Sequence, residues 1–163
     1  MKKLILISVL SIGLISCGSD KKETEKTSIK TETAQENSIS NEISLKGNDE
    51  MKFDKTKFTV KAGQEVTLTF TNEGVLPLET MGHNVVVLEK NADVAKFANA
   101  SAKAKETNYI SDLYITDIIA QTKLLGPGES ETIKVTLKEA GEYTFICTFP
   151  GHWIAMKGTI TAI

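Results

Sequence analysis

Cys147, His152 and Met156 lie within one short stretch, Cys147-Thr148-Phe149-Pro150-Gly151-His152-Trp153-Ile154-Ala155-Met156-Lys157-Gly158. Their side chains offer a thiolate, an imidazole and a thioether. That is one soft anionic donor, one borderline nitrogen donor and one weak sulfur donor. The chain holds two histidines, and the other is His83, in Met81-Gly82-His83-Asn84. A cysteine, two histidines and a long axial methionine form the trigonal copper centre that carries single electrons. The donor set therefore predicts a copper site made by His83, Cys147, His152 and Met156. Pro150 and Gly151 turn the backbone between two of the donors. A buried thiol beside a core histidine is the plain alternative, because free cysteine is among the most buried residue types. Zinc is the chemical alternative, since it also takes cysteine and histidine. Met156 favours copper over zinc, because a thioether is a soft ligand.

The Cys-Thr-Phe-Pro-Gly-His stretch, followed after three residues by Met-Lys-Gly, resembles the ligand loop of the azurins, which are cupredoxins. Met81-Gly82-His83-Asn84 resembles the azurin segment that supplies the first histidine, and Thr122-Lys123-Leu124-Leu125-Gly126 with Gly128-Glu129 is similar as well. The resemblance runs from about Ile43 to Ile163 in matching order.

It implies one type 1 blue copper per chain and a role for each matching residue. Cys147 is the thiolate and the main electronic path. His83 is the buried histidine. His152 reaches the surface and serves as the electron port. Met156 is the weak axial ligand, and the Gly82 carbonyl is a second weak axial contact. Asn84 ties the two ligand loops together. The backbone N–H groups of Asn84 and Phe149 point at the Cys147 sulfur and tune it. Met81, Leu124, Phe149, Pro150 and Ala155 ring the exposed histidine as an apolar docking patch, with Trp153 beside it. Such patches mark interaction sites, and weak redox encounters use small ones. The implied partners are redox proteins: c-type cytochromes, a terminal oxidase or a reductase. Glu79, Thr80, Val85, Gln121 and Trp153 depart from the family pattern. The chain also lacks the cysteines of the disulfide that azurins usually carry.

A rigid frame must hold such a site, and the rest of the chain predicts one. Val66, Leu68 and Phe70 alternate with Thr67, Thr69 and Thr71, the period of a half-buried strand. Ile43–Lys46, Met51–Phe53, Phe58–Lys61, Val85–Leu88, Ser130–Lys138 and Thr159–Ile163 read as further strands around turns at Gly47-Asn48-Asp49, Ala62-Gly63 and Ala140-Gly141. Tyr143, Phe145 and Cys147 share one face of the strand leading into the ligand loop, with Phe145 as plain core. Asn72–Thr80 reads as a loop, and Tyr109–Leu125 as mostly irregular. Asn91–Lys105 is rich in Ala, Lys and Asn, with Val94, Phe97 and Ala98 at helical spacing. The expected fold is therefore all-β: a Greek-key β-sandwich of cupredoxin type with one short helix or flap inserted.

The N-terminus predicts an address. Met1-Lys2-Lys3 is basic, Leu4 to Ile15 is mostly apolar, and the run is too short to span a bilayer. Residues 1–16 read as a signal peptide whose end resembles a bacterial lipobox, with lipid placed on Cys17. An ordinary signal with a chance cysteine is the alternative. Residues 17–42 are Lys, Glu, Thr, Ser, Asn and Gln with hardly an apolar side chain, the composition of a disordered tether. A coil of ~25 residues spans roughly 25–30 Å. Residues 43–163 form the copper domain. The expected location is extracytoplasmic, in the periplasm or cell envelope, held at the membrane through Cys17. A lipidated Cys17 leaves Cys147 without a disulfide partner, and a metal explains why a secreted thiol is kept.

Charge excludes more than it selects. Without residues 1–16 the chain loses Lys2 and Lys3, so 17 basic side chains face 21 acidic ones and the net charge moves from −2 to −4. The chain has no arginine, the usual bidentate donor to phosphate and guanine, which argues against nucleic acid. No coordination position is left for a small-molecule substrate. A multicopper oxidase or copper nitrite reductase needs histidines flanking the cysteine for a second copper; here the neighbours are Ile146 and Thr148. The reading is thus an electron carrier and not an enzyme, with a copper-binding or delivery lipoprotein as the alternative.

Overall fold

The computed structural model describes residues 39–163. The predicted signal peptide, the predicted lipidation site Cys17 and most of the predicted tether lie outside the described residues.

Nine strands form two sheets among the described residues. The first sheet contains β1 (Glu42–Asn48), β2 (Lys52–Phe53), β4 (Glu65–Asn72) and β7 (Ser130–Thr136), in the order β2-β1-β4-β7. The second contains β3 (Lys57–Val60), β5 (Val86–Leu88), β6 (Ile118–Gln121), β8 (Gly141–Ile146) and β9 (Lys157–Ala162), in the order β3-β9-β8-β5-β6. Both sheets are mixed: β1 runs parallel to β4 and β3 parallel to β9, while the other pairings are antiparallel. This is the expected all-β cupredoxin sandwich.

Period-two patterning sets the register. Ile43 pairs with Leu68 and Leu45 with Phe70, so the inward sets of β1 and β4 coincide. A slip of one residue would turn every one of them to solvent. They meet Tyr143, Phe145, Ile160 and Ala162 of the second sheet in one buried cluster. Complete burial of a side chain such as Phe70 or Leu68 stabilises by about 1.5–3 kcal/mol.

β5 is buried on both faces, which is why Val85 to Leu88 reads as an unbroken apolar run. Val87 faces the main core. Val86 and Leu88 face a second cluster, closed by Phe97 and Ala98 of helix α2 (Val94–Ser101) and by Ile110. Asp93 caps α2 by accepting the Lys96 N–H at 3.1 Å. The inserted helix is therefore the cover of the second sheet's outer face.

The structure corrects the expected elements in four places. Residues 118–121, read as irregular, form the edge strand β6 against β5. Its residues lack alternation because Ile118, Ile119 and Ala120 are all partly covered. Leu78–Met81, read as loop, is a single helical turn, α1. β1 starts at Glu42, Ser40 N–H bonds the Thr59 carbonyl at 3.1 Å, and Ile39 bridges Thr59, so the last residues assigned to the tether belong to the sandwich. Finally, Leu137 is buried beyond the end of β7 at Thr136.

The topology fixes where the donors go. Val86 pairs with Ile146, which sets the start of β5 beside the end of β8. Asn84 and Cys147 each lie one or two residues beyond that pair, so His83 and the ligand loop share one end of the sandwich.

A candidate metal centre

Three donor atoms converge at that end. His83 Nδ1 lies 3.9 Å from Cys147 Sγ, His152 Nδ1 lies 3.7 Å from it, and the two ring nitrogens are 3.2 Å apart. Three donors ~2.0–2.3 Å from a common centre in a trigonal plane are roughly 3.5–3.8 Å apart. Two lone-pair nitrogens and a sulfur aimed at one point are an arrangement a cation satisfies. His83, Cys147, His152 form one group of possible metal ligands, all buried. Met156 is fully buried in the same core cluster as Cys147. The donor set, two imidazoles, one thiol and one thioether, fits copper.

Each donor is held by its local backbone. Cys147 follows the last residue of β8, and its N–H bonds the Met156 carbonyl at 3.0 Å, closing the ligand loop across its base. Within the loop the N–H groups of Ala155 and Met156 bond the His152 carbonyl at 3.0 and 2.8 Å. This turn positions Met156 relative to His152. Gly47 of β1 faces Met156: a Cβ there would come within 3.3 Å of the Met156 Cε and 3.0 Å of the Phe70 ring.

His83 enters from the other segment. Its backbone bonds Leu125 in both directions, at 3.1 and 2.8 Å. Its Nε2–H donates to the Asn48 carbonyl at 3.0 Å, which leaves Nδ1 unprotonated and facing the sulfur. Gly82 precedes it because no side chain fits. An added Cβ would lie 2.7 Å from the Leu78 carbonyl and 3.0 Å from Leu124 Cγ.

Asn84 bridges the two segments. Its Oδ1 accepts the Thr148 N–H at 2.8 Å, and its Nδ2 donates to Thr148 Oγ1 at 2.7 Å.

Burial governs the protonation of the metal-free site. Desolvation pushes the Cys147 thiol up to about 11, against the backbone N–H groups of Asn84 and Phe149, which lower it. Burial pushes His152 down to about 4, helped by the neighbouring His83. Burial also lowers His83, opposed by its bond to Asn48 and by the Asp49 carboxylate. At neutral pH the metal-free site is thus a thiol beside two neutral imidazoles.

The surroundings depart from expectation around His152. It retains 3% of its surface, more than the 0% of His83 but far from an open ring. Phe149 is the reason. Its ring lies tilted against His152, centroids 4.7 Å apart, and Phe149 is itself only 7% exposed, so it covers the histidine more than it offers a surface. Trp153, predicted beside the patch, packs instead against the cluster under α2, with the Lys157 ammonium 5.9 Å over its ring. Of the other patch residues, Pro150 and Ala155 are exposed and Met81 and Leu124 half-buried.

Three contributors carried no usable signal in the sequence. Asn48 acts through a backbone carbonyl, which any residue possesses. Thr148 is legible only as a polar residue inside the loop. Tyr109 reaches Phe149 from the segment after α2, with ring centroids 5.0 Å apart.

Comparison with known proteins agrees with this geometry. The family described as copper binding proteins, plastocyanin/azurin family, matches residues 39–162. The azurin of Alcaligenes faecalis is 39% identical over 123 residues, which cover 73% of this chain and 95% of that protein. The azurin of Pseudomonas denitrificans is 37% identical over 123 residues, with the same coverage of both. Among solved structures, dithionite-reduced auracyanin from Roseiflexus castenholzii superposes with a TM-score of 0.70 at 36% identity, covering 77% of this chain and 99% of that one. Auracyanin A from Chloroflexus aurantiacus, described as a blue copper protein, gives 0.67 at 34% identity over 75% and 98%. With a matching family profile, relatives of this identity and a His-Cys-His-Met site in the expected place, the chain belongs to the plastocyanin/azurin family of copper-binding proteins.

Proposed function

We propose that this protein is a one-electron carrier of the cell envelope, tethered to a membrane through lipid on Cys17. The observation that carries the reading is the convergence of His83 Nδ1, Cys147 Sγ and His152 Nδ1 within 3.9 Å, buried, with Met156 in the same core. Copper bound there supplies a one-electron Cu(II)/Cu(I) couple. The chain does the rest. His83 is fixed by Asn48 and Leu125, and the ligand loop by the bond from Cys147 to Met156 and by Asn84. Such a frame holds the donors still whichever charge the site carries, which keeps reorganisation small. The apolar shell excludes water from the sulfur. The N–H groups of Asn84 and Phe149 stabilise negative charge on it and so bear on the potential. The Gly82 carbonyl would offer a bound metal a further weak oxygen donor.

Membership of a copper-binding plastocyanin/azurin family supports a carrier that passes electrons to redox partners over an enzyme. The docking face proposed here comprises Met81, Leu124, Pro150 and Ala155, with Phe149 beneath. Ile154, 67% exposed in the same loop, extends it. The partners we propose are c-type cytochromes, a terminal oxidase or a reductase in the extracytoplasmic space. The delivery reading is disfavoured by burial of all four donors, since handover needs an exposed site.

The test is a visible spectrum of the protein titrated with Cu(II), beside Cys147→Ser. An intense blue band that saturates at one copper per chain and is lost in the variant is the expected result. Tight zinc binding with no such band would overturn the carrier reading.

A further inference from the structure

His152 is the donor with the most exposed surface, 3%, and two aromatic rings pack in series against it. Phe149 lies against it with ring centroids 4.7 Å apart and planes tilted by 42°, and Tyr109 meets Phe149 edge-on at 5.0 Å with the ring planes 66° apart. Phe149 belongs to the ligand loop, so its position is expected to follow that of its neighbours. Tyr109 does not. It comes from the segment that follows α2, some forty residues away in sequence.

The backbone at Tyr109 is held in an unusual state. The 3₁₀ turn Lys105–Thr107 ends on Asn108 with φ 54°, a left-handed cap that asparagine tolerates. Tyr109 N–H bonds the Ala104 carbonyl at 2.8 Å, and Asn108 N–H bonds the Lys105 carbonyl at 3.1 Å, the paired bonds of a Schellman ending. Yet Tyr109 itself also has a positive φ, 63°. A bulky residue in that region is an outlier that persists only where surrounding structure enforces it. What this backbone achieves is to aim the Tyr109 ring at Phe149. Beside the contact a cavity of about 150 Å³ opens between Leu78, Leu124, Lys105 and the two rings. The pair therefore has room to part.

We propose that Tyr109 is a positioning residue for the metal centre: its ring clamps Phe149 over His152 and so keeps the ligand loop closed against solvent and metal exchange. The inserted segment thereby has two tasks. Through α2 it covers the second sheet, and through Tyr109 it closes the donor end.

The experiment uses the full chain without metal, so it stands even if the copper reading fails. Alkylation of Cys147 by iodoacetamide is followed by peptide mass, which separates it from Cys17. Tyr109→Ala is expected to label Cys147 roughly tenfold faster than the parent, the loss of one aromatic pair and its packing. Tyr109→Phe, which keeps the ring, is expected to label at the parent rate. Tyr114→Ala is the control for general loosening, because Tyr114 sits in the same inserted segment but packs under α2. A second arm, which rests on the proposed copper site, measures copper release to a chelator; Tyr109→Ala should speed it and Tyr109→Phe restore it. Equal labelling of Tyr109→Ala and parent, or equal acceleration in Tyr114→Ala, would overturn the clamp.

Discussion

Asn84 and Thr148 clasp each other with both their polar groups, at 2.8 and 2.7 Å, across the gap between the His83 segment and the ligand loop. Both residues are buried. The two segments that must agree on donor geometry are thus joined next to the donors themselves. Replacing Asn84 by Ala leaves the Thr148 N–H and hydroxyl buried without partners. The expected cost is about 2–4 kcal/mol of stability in the metal-free protein. Urea unfolding of Asn84→Ala against the parent checks it; a loss under about 0.5 kcal/mol would mean water or another group replaces the clasp.

Acid should destabilise the metal-free form through His152. An unfolded histidine titrates near ~6.5, whereas burial holds His152 at about 4 in the native site. Between those values the unfolded chain binds the extra proton. Native stability is therefore full above about pH 6.5 and falls as the pH drops towards 4, by roughly 2–3 kcal/mol from this residue. Denaturant midpoints across that range should show the slope in the parent and a shallower one in His152→Gln. Parallel slopes would remove His152 as the cause.

Copper uptake should release close to one proton at pH 7. The Cys147 thiol, held at about 11, is protonated there and must ionise to bind. Both histidines are held below their ordinary range and are already neutral. Calorimetry of Cu(II) binding in buffers of different ionisation enthalpy counts the protons directly. A count near zero would show that the thiol is ionised before the metal arrives.

Met156→Leu keeps the volume of a buried side chain while removing its sulfur. Volume-conserving swaps of this kind cost under about 1.5 kcal/mol. The blue band should survive, since the thiolate and both imidazoles remain. The reduction potential should rise, because loss of a weak donor disfavours the more highly charged Cu(II). Voltammetry of the variant tests this, and an unchanged potential would remove Met156 from the coordination sphere.

Gly82→Ala tests the packing at the turn. Its Cβ would press on the Leu78 carbonyl at 2.7 Å and on Leu124. Relief requires α1 to shift, at about 1–3 kcal/mol. Because Leu124 also borders the proposed docking face, electron exchange with a cytochrome should slow together with the fall in melting temperature. A variant as stable as the parent would show that α1 yields without cost.

By itself the sequence determined the chemistry and most of the frame. Cys147, His152 and Met156 are set by spacing within one loop, so their proximity needs no long-range contact. With two histidines in the chain, His83 was the one remaining candidate for the trigonal set. The strands of β1, β4 and β8 are legible because their buried residues recur at a period of two. The tertiary structure decided what depends on segments distant in sequence. Only the fold places the Asn48 carbonyl on His83 Nε2, since a backbone acceptor has no residue signature. Only the β5–β6 pairing makes a strand of Ile118–Gln121, whose partial cover on both faces erases alternation. The burial of His152 under Phe149, the backing of Phe149 by Tyr109, and the withdrawal of Trp153 beneath α2 follow from where the insertion folds. Local periodicity specifies which face of an element is apolar; which distant element covers that face is settled by packing.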